Sequence, residues 1–262
     1  MATIALLLVA LFGLAIGSFL NVVIHRLPRD MSLVRPPSSC PGCGARIKPY
    51  DNIPVLSYLL LRGRCRACGR GISPEYPAVE ALTAIGFVLV HLHTGGEVGL
   101  ELVAGCAFTS ALIALGFIDY HHQILPDAIT LPGLVLALAY SFFRDDLTFR
   151  GALLGAVAGA GFLLLVYGAY LLIRKKEGLG MGDVTMMLMV GAFLGPLRTV
   201  LVLILGSLAG AIVGAYVILR KGKDFQFALP FGTFLAPAAF VALLWGERIV
   251  QAYKNYLSSH LG

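Results

Sequence analysis

Charged residues are scarce in this sequence. Only 13% of the 262 residues are Asp, Glu, Lys or Arg, whereas 58% are hydrophobic. A soluble globular protein carries about 25% charged and about 45–50% apolar residues, so the composition excludes an ordinary soluble enzyme. The 31 glycines agree with this, because glycine lets membrane helices approach closely. We therefore predict a polytopic membrane protein in which the net charge of +6 reports orientation rather than a nucleic-acid partner.

Basic residues are also missing ahead of the first apolar run, which argues against a cleaved signal peptide. We interpret that run as a first transmembrane helix with its N-terminus outside. Eight runs are candidates for transmembrane helices: 3–24, 78–94, 100–118, 128–143, 151–173, 184–196, 199–219 and 229–246. The sixth run is short, and Gly195-Pro196 should break the chain into a hairpin between it and the seventh.

The positions of Lys and Arg predict the orientation. In an eight-helix chain, fifteen of these residues fall on one side of the membrane and five on the other. Nine of the fifteen lie in the first loop, 25–77, so the positive-inside rule places that loop in the cytoplasm and both termini outside. We accordingly divide the chain into a first helix (1–24), a cytoplasmic loop (25–77) and a helical membrane core (78–262).

The cytoplasmic loop contains two pairs of cysteines, Cys40/Cys43 and Cys65/Cys68, each with two residues between its members. Two such pairs supply four thiolates for tetrahedral zinc, and the glycine after each pair permits a tight turn. Two disulfides are the alternative, but they require an oxidising compartment. The sequence therefore predicts a structural Zn²⁺ site, which a loop with few large apolar residues needs in order to fold.

Two aspartates stand at the ends of predicted helices. Asp119 closes the third, and Asp183 opens the sixth within Gly180-Met-Gly-Asp183. Two helices separate them, so both should lie at the cytoplasmic boundary. Paired carboxylates that share a proton can activate water against an amide, and glycine at 180 and 182 would leave room for an extended substrate backbone. The pattern alone fits catalysis or helix capping; for Asp127, at the start of the next helix, we favour capping.

Helix dipoles suggest a division of labour between the two carboxylates. Asp183 at a helix N-terminus should favour its ionised form and act as the base, whereas Asp119 at a helix C-terminus should keep its proton and act as the acid.

Elsewhere, glycines recur every four residues at 151, 155 and 159 and at 206, 210 and 214. Both stripes should mediate helix packing.

Together these segments resemble the prepilin leader peptidases of type IV pilus and type II secretion systems. The resemblance covers most of the chain and includes Gly17–Pro28, the four cysteines, Asp51–Pro54, Tyr76–Glu80, Asp119–Asp127 and Gly180–Asp183. It implies an all-α enzyme of the bacterial inner membrane in which Asp119 and Asp183 cut a basic leader from prepilins or pseudopilins. Many family members then methylate the new N-terminus with S-adenosylmethionine, and this resemblance alone implies that activity here.

Two other functions compete with this one. A transporter could use Asp119 and Asp183 to relay protons or cations, because glycine-broken helices beside buried carboxylates also occur in transporters. The chain lacks a convincing internal repeat, however, and four thiolates have no obvious place in a permease. A scaffold that binds a partner through its zinc loop is the second alternative. Lipids are expected to surround the protein in every case.

Overall fold

The computed structural model describes residues 2–175, 180–221 and 230–261. Helices form all the regular structure in these ranges, apart from two isolated β-bridges in the cysteine loop. The helices are α1 (Ala2–Arg26), α2 (Leu56–Leu60), α3 (Glu75–His93), α4 (Leu100–His122), α5 (Asp127–Tyr140), α6 (Phe149–Arg174), α7 (Met181–Leu194), α8 (Pro196–Lys221) and α9 (Gly232–Leu261), with short 3₁₀ turns at Leu27–Arg29 and Pro49–Asn52. This architecture confirms the predicted all-helical class.

Six of the described helices are long and apolar enough to cross a membrane: α1, α3, α4, α6, α8 and α9. The other two apolar helices, α5 and α7, have 14 residues each and are therefore about 21 Å long, shorter than the roughly 30 Å hydrocarbon core. Helix α9 runs to Leu261, well past the predicted end at 246. Lys176 and Lys223, which enter the predicted charge asymmetry, and the predicted start at 229 lie outside the described residues.

The chain divides into two compact units, Met1–Ala114 and Leu115–Gly262, and α4 contributes residues to both. In the first unit α1 packs against α3 through glycine: a Cβ at Gly13 would lie 2.7 Å from Cα of Ala84, and one at Gly17 would lie 2.6 Å from Cα of Glu80. Only hydrogen fits at these positions, so the two backbones can come together. The predicted division at residues 24 and 77 stays a prediction.

Buried polar side chains attach the loop to these helices. The Glu80 carboxylate accepts a hydrogen bond from the backbone N–H of Val55 at 2.7 Å. The Arg26 guanidinium, only 8% exposed, donates to the carbonyl oxygens of Ser32 at 2.9 Å and Pro36 at 2.7 Å. Loop backbone groups that would otherwise lack partners are thus satisfied by residues of α1 and α3.

In the second unit, α7 is the central element. It contacts α5, α6, α8 and α9, and its residues from Met189 to Leu194 are all buried. Surrounding protein explains how a helix too short to span lipid can be accommodated. A Cβ at Gly155 of α6 would overlap the carbonyl oxygen of Gly191, so α6 and α7 are in backbone contact. The predicted break is confirmed, because α7 ends before Gly195, which has φ +78°, and α8 begins at Pro196.

Candidate active site and metal centre

Asp119 lies in the last turn of α4 and is only 4% exposed. Its Oδ2 atom accepts hydrogen bonds from the backbone N–H of Thr233 at 2.7 Å and from the Thr233 hydroxyl at 3.1 Å. Thr233 is the second residue of α9, where backbone N–H groups have no partner inside their own helix. Asp119 therefore accepts a hydrogen bond from one of the backbone N–H groups at the N-terminus of α9, a helix that begins 113 residues further along the chain.

Asp183 lies in the first turn of α7 and is 7% exposed. Its backbone N–H donates to the carbonyl oxygen of Gly180 at 3.1 Å, and its carboxylate interacts with the Gly180 backbone amide. The other carboxylate oxygen, Oδ1, is buried and has no hydrogen-bond partner within the described residues. A buried oxygen without a partner is unfavourable in a purely structural residue, which argues against capping as the whole role of Asp183.

The two carboxyl groups lie at the same end of the second unit. They are close enough for the charge of Asp119 to act on Asp183. Leu125 joins their surroundings: a Cβ at Gly182 would lie 2.9 Å from Leu125 Cβ, and one at Gly232 would lie 2.9 Å from Leu125 Cδ1 and 3.1 Å from Asp119 Oδ2. The chain thus brings together two aspartates that are 64 residues apart in sequence.

The glycines beside Asp183 have different surroundings. Gly182 faces Leu125, so its missing side chain makes room for this protein's own chain. A Cβ at Gly180 would make only an ordinary 3.4 Å contact with Asp183 Oδ2. Space for a substrate backbone thus stays a prediction for both glycines, and Gly180 is the better placed of the two.

A chain of hydroxyl groups supports the first turn of α7. Thr130 Oγ1 lies 3.4 Å from Asp127 Oδ1 and 3.2 Å from Thr185 Oγ1, and the Thr185 hydroxyl donates to the carbonyl oxygen of Gly182 at 3.0 Å. Asp127, the first residue of α5, therefore contributes to the support of that turn. No side-chain capping bond is present at the start of α5 in the described residues, so the capping role expected for Asp127 is not observed.

Sequence reasoning missed Thr130, Thr185 and Thr233. Single threonines in apolar helices produce no periodic signal. For Thr233 a weak indication exists, because Gly232-Thr233 directly precedes an apolar run, as residues at a helix N-terminus do.

The four loop cysteines form a second site. Their sulfur atoms all lie within 4.8 Å of one another, and those of Cys40 and Cys68 are 3.9 Å apart. Four thiolates bound tetrahedrally at about 2.3 Å from a zinc ion would be separated by about 3.8 Å. None of the four cysteines is in a disulfide, and the Cys40–Cys68 sulfur distance of 3.9 Å is far longer than a disulfide bond of about 2.05 Å, so the geometry favours the metal over the disulfide alternative. The chemistry and spacing of these donors fit a closed metal site.

The backbone around the sulfurs is built twice in the same way. The N–H of Gly44 donates to the carbonyl oxygen of Cys40 at 2.8 Å, and that of Gly69 donates to Cys65 at 2.9 Å. Both glycines have positive φ, +72° and +71°, as the predicted tight turns require.

The backbone amides of Gly42 and Cys43 lower the pKa of the Cys40 thiol to about 6. For the Cys68 thiol, the hydrogen bond from the Arg70 backbone lowers the pKa, but the neighbouring sulfurs outweigh it and raise the pKa to about 11. Without an ion, only part of the cluster therefore favours the thiolate that a metal needs.

Comparisons with known proteins agree with this organisation. Residues 11–94 match the bacterial peptidase A24 N-terminal domain, and residues 106–215 match the type IV leader peptidase family. The chain belongs to the type IV leader peptidase family. The family match includes both Asp119 and Asp183, whereas the four cysteines fall in the N-terminal domain match.

Several curated relatives align over nearly the whole chain. Prepilin leader peptidase/N-methyltransferases from Pseudomonas aeruginosa and Aeromonas hydrophila are 38% and 40% identical to it. Those alignments cover 94% and 95% of this chain and 92% and 94% of the relatives. A namesake from Myxococcus xanthus is 43% identical over 80% of this chain and 62% of its own length. No solved structure matches the chain.

Proposed function

We propose that this protein is a membrane aspartic endopeptidase that removes the basic leader from type IV prepilins or type II secretion pseudopilins. The observation that carries the proposal is that Asp119 and Asp183, both buried, lie at one end of the second unit, where Leu125 lies beside both Gly182 and Gly232. Two such carboxylates with one proton between them can deprotonate a water molecule and protonate the carbonyl oxygen of a peptide bond. The relatives' names support the choice of substrate.

The proposed substrate fits a membrane enzyme. A prepilin places an apolar helix in the bilayer and keeps its basic leader in the cytoplasm, so its scissile bond lies where lipid meets water. On the charge distribution of the sequence, we place the cysteine loop and both aspartates on the cytoplasmic side of the bacterial inner membrane and both termini in the periplasm.

We further propose that Cys40, Cys43, Cys65 and Cys68 bind one structural Zn²⁺. Four protein ligands leave no open coordination position, so the ion would stabilise the loop and take no part in hydrolysis. The relatives' names also include N-methyltransferase, and we propose that the new N-terminus is methylated with S-adenosylmethionine as the methyl donor. The comparisons give no support to the transporter alternative.

The test is an assay of purified protein in detergent with a prepilin and labelled S-adenosylmethionine. Mass spectrometry should detect a shortened pilin that carries a methyl group. Asp119→Asn and Asp183→Asn should each slow the shortening by at least about 100-fold, whereas Asp145→Asn, at an exposed aspartate in the α5–α6 loop, should not. An uncut pilin with folded wild-type protein would refute the peptidase, and a cut but unmethylated pilin would refute only the methyltransferase.

A further inference from the structure

Thr233 holds one oxygen of Asp119 from two directions. Both its backbone N–H and its hydroxyl lie within hydrogen-bond distance of Oδ2, at 2.7 and 3.1 Å. The hydroxyl also lies 3.3 Å from the carbonyl oxygen of Gly116, one turn earlier in α4. Gly232 also lies against this oxygen, since a Cβ there would be 3.1 Å from Asp119 Oδ2. The carboxyl group of Asp119 therefore has a fixed position before substrate arrives.

These contacts favour an ionised Asp119. Hydrogen bonds donated to a carboxylate favour its charged form, and 2.7 Å is the short distance typical of an N–H donor on a charged oxygen. The N-terminus of α9 adds a positive dipole end at the same point. Asp183 has fewer donors, because the described partner of its carboxylate is the Gly180 backbone amide and its Oδ1 is buried without a partner in the described chain. A proton on Asp183 removes the need to bury a second negative charge beside the first.

We infer that Thr233 is a positioning residue that makes Asp119 the general base, and that Asp183 carries the proton and acts as the general acid. This assignment is the reverse of the one that the helix dipoles of α4 and α7 suggest. The dipole argument treats each aspartate only in relation to the helix that carries it, whereas the groups that donate hydrogen bonds to Asp119 belong to α9. The inference rests on the proposed peptidase function and deepens it.

The roles give a balanced reaction. Asp119 takes a proton from water while the water oxygen bonds to the carbonyl carbon, and Asp183 gives its proton to the carbonyl oxygen. Asp119 then gives its proton to the amide nitrogen as the carbon–nitrogen bond breaks. Asp183 recovers a proton from one hydroxyl as the carbonyl re-forms. The products are a carboxylic acid and an amine, and both aspartates return to their starting states.

Thr233→Val tests the inference, with Thr233→Ser as the matched control. Valine keeps the shape and the backbone N–H but removes the hydroxyl, whereas serine keeps the hydroxyl. We expect Thr233→Val to lower kcat for prepilin cleavage by about 10- to 100-fold, the effect of a hydrogen bond to a charged group. KM should stay within about twofold, because the hydroxyl is predicted to touch Asp119 rather than substrate. Serine should restore kcat to within about threefold of wild type.

Kinetic results that would overturn the inference are unchanged kcat in Thr233→Val, or an equal loss in the serine variant. If the valine variant fails to fold, Thr233→Ala takes its place with the same expectation and the same serine control.

Infrared spectroscopy tests the proton assignment without substrate, so it stands even if prepilin is not cut. The Thr233→Val minus Thr233→Ser difference spectrum should change in the carboxylate stretching region, because Thr233 contacts Asp119. The protonated-carboxyl band present in the serine protein should keep its frequency. A shift of that band would place the proton on Asp119 and would overturn the inference. A protonated Asp119 would donate its proton to the Thr233 hydroxyl, and that hydroxyl would donate to the carbonyl oxygen of Gly116.

Discussion

The contact between α6 and α7 supports the sharpest stability prediction, the effect of Gly155→Ala. A Cβ at this position would overlap the carbonyl oxygen of Gly191 and lie 2.8 Å from Cα of Gly195. Ordinary carbon–carbon contacts need about 3.5–4.0 Å. The helices would therefore have to separate by about 1 Å, and overpacking of this kind costs about 1–3 kcal/mol.

Gly161→Ala is the matched control, because it makes the same chemical change on the same helix at a position with nothing within 4 Å. Both substitutions gain the helix preference of alanine over glycine, about 0.5–1 kcal/mol. That gain cancels when the two variants are compared. Gly155→Ala should therefore be less stable than Gly161→Ala by about 1–3 kcal/mol.

Thermal unfolding in detergent measures this difference, and prepilin cleavage measures its functional consequence. Because α7 carries Asp183, a shift of about 1 Å should lower turnover by up to about 100-fold, while Gly161→Ala keeps wild-type turnover. Equal melting temperatures for the two variants would refute the backbone contact. A destabilised Gly155→Ala protein with full turnover would refute the link between this contact and the aspartates.

Three further predictions concern the loops. Purified protein should contain one zinc ion per chain. The Cys43→Ser variant should lose the ion, its 25–77 loop should become sensitive to protease, and its KM for prepilin should rise while the catalytic step itself is kept. A metal-free variant with full turnover would refute the coupling between the ion and substrate binding. A hydrogen bond from Arg144 lowers the pKa of Asp146, so the stability from this pair is present above about pH 4, the ordinary pKa, and is lost as the pH falls through the lower, folded-state pKa. The melting-temperature advantage of wild type over Asp146→Asn should accordingly shrink on acidification, and a constant difference would contradict the assignment. Glu80→Ala should destabilise the first unit by about 1–3 kcal/mol because the Val55 N–H loses its acceptor, whereas Glu80→Gln keeps an acceptor; equal losses in unfolding experiments would argue against that bond.

Much of the architecture follows from local features of the sequence. Long apolar runs predict where helices lie, and Gly195-Pro196 predicts the break between α7 and α8. The cysteine spacing and its two glycines predict a four-sulfur cluster, because the geometry of each turn is local. The even number of helices between Asp119 and Asp183 predicts that both lie at one end of the helices, as the ends of α4 and α7 do; that this end faces the cytoplasm stays a prediction.

Other features depend on contacts that local patterns do not contain. Hydropathy falls near residue 246, but α9 continues to Leu261 because a helix does not require apolar residues. Thr233 and Asp119 are 114 residues apart in sequence, so the sequence around either residue does not predict the hydrogen bond between them. The contact of Gly182 with Leu125 exists only in the folded chain, so the sequence could not predict it.

The turnover of Asp119→Asn, Asp183→Asn and the double variant on the same prepilin measures whether the two aspartates act as one unit on one peptide bond. Since each carboxyl is required in the same step, each single substitution should lower turnover by at least about 100-fold. The double variant should fall no further than the weaker single variant. Near-normal turnover in either single variant, or losses that multiply in the double variant, would show that the two aspartates do not act as one unit.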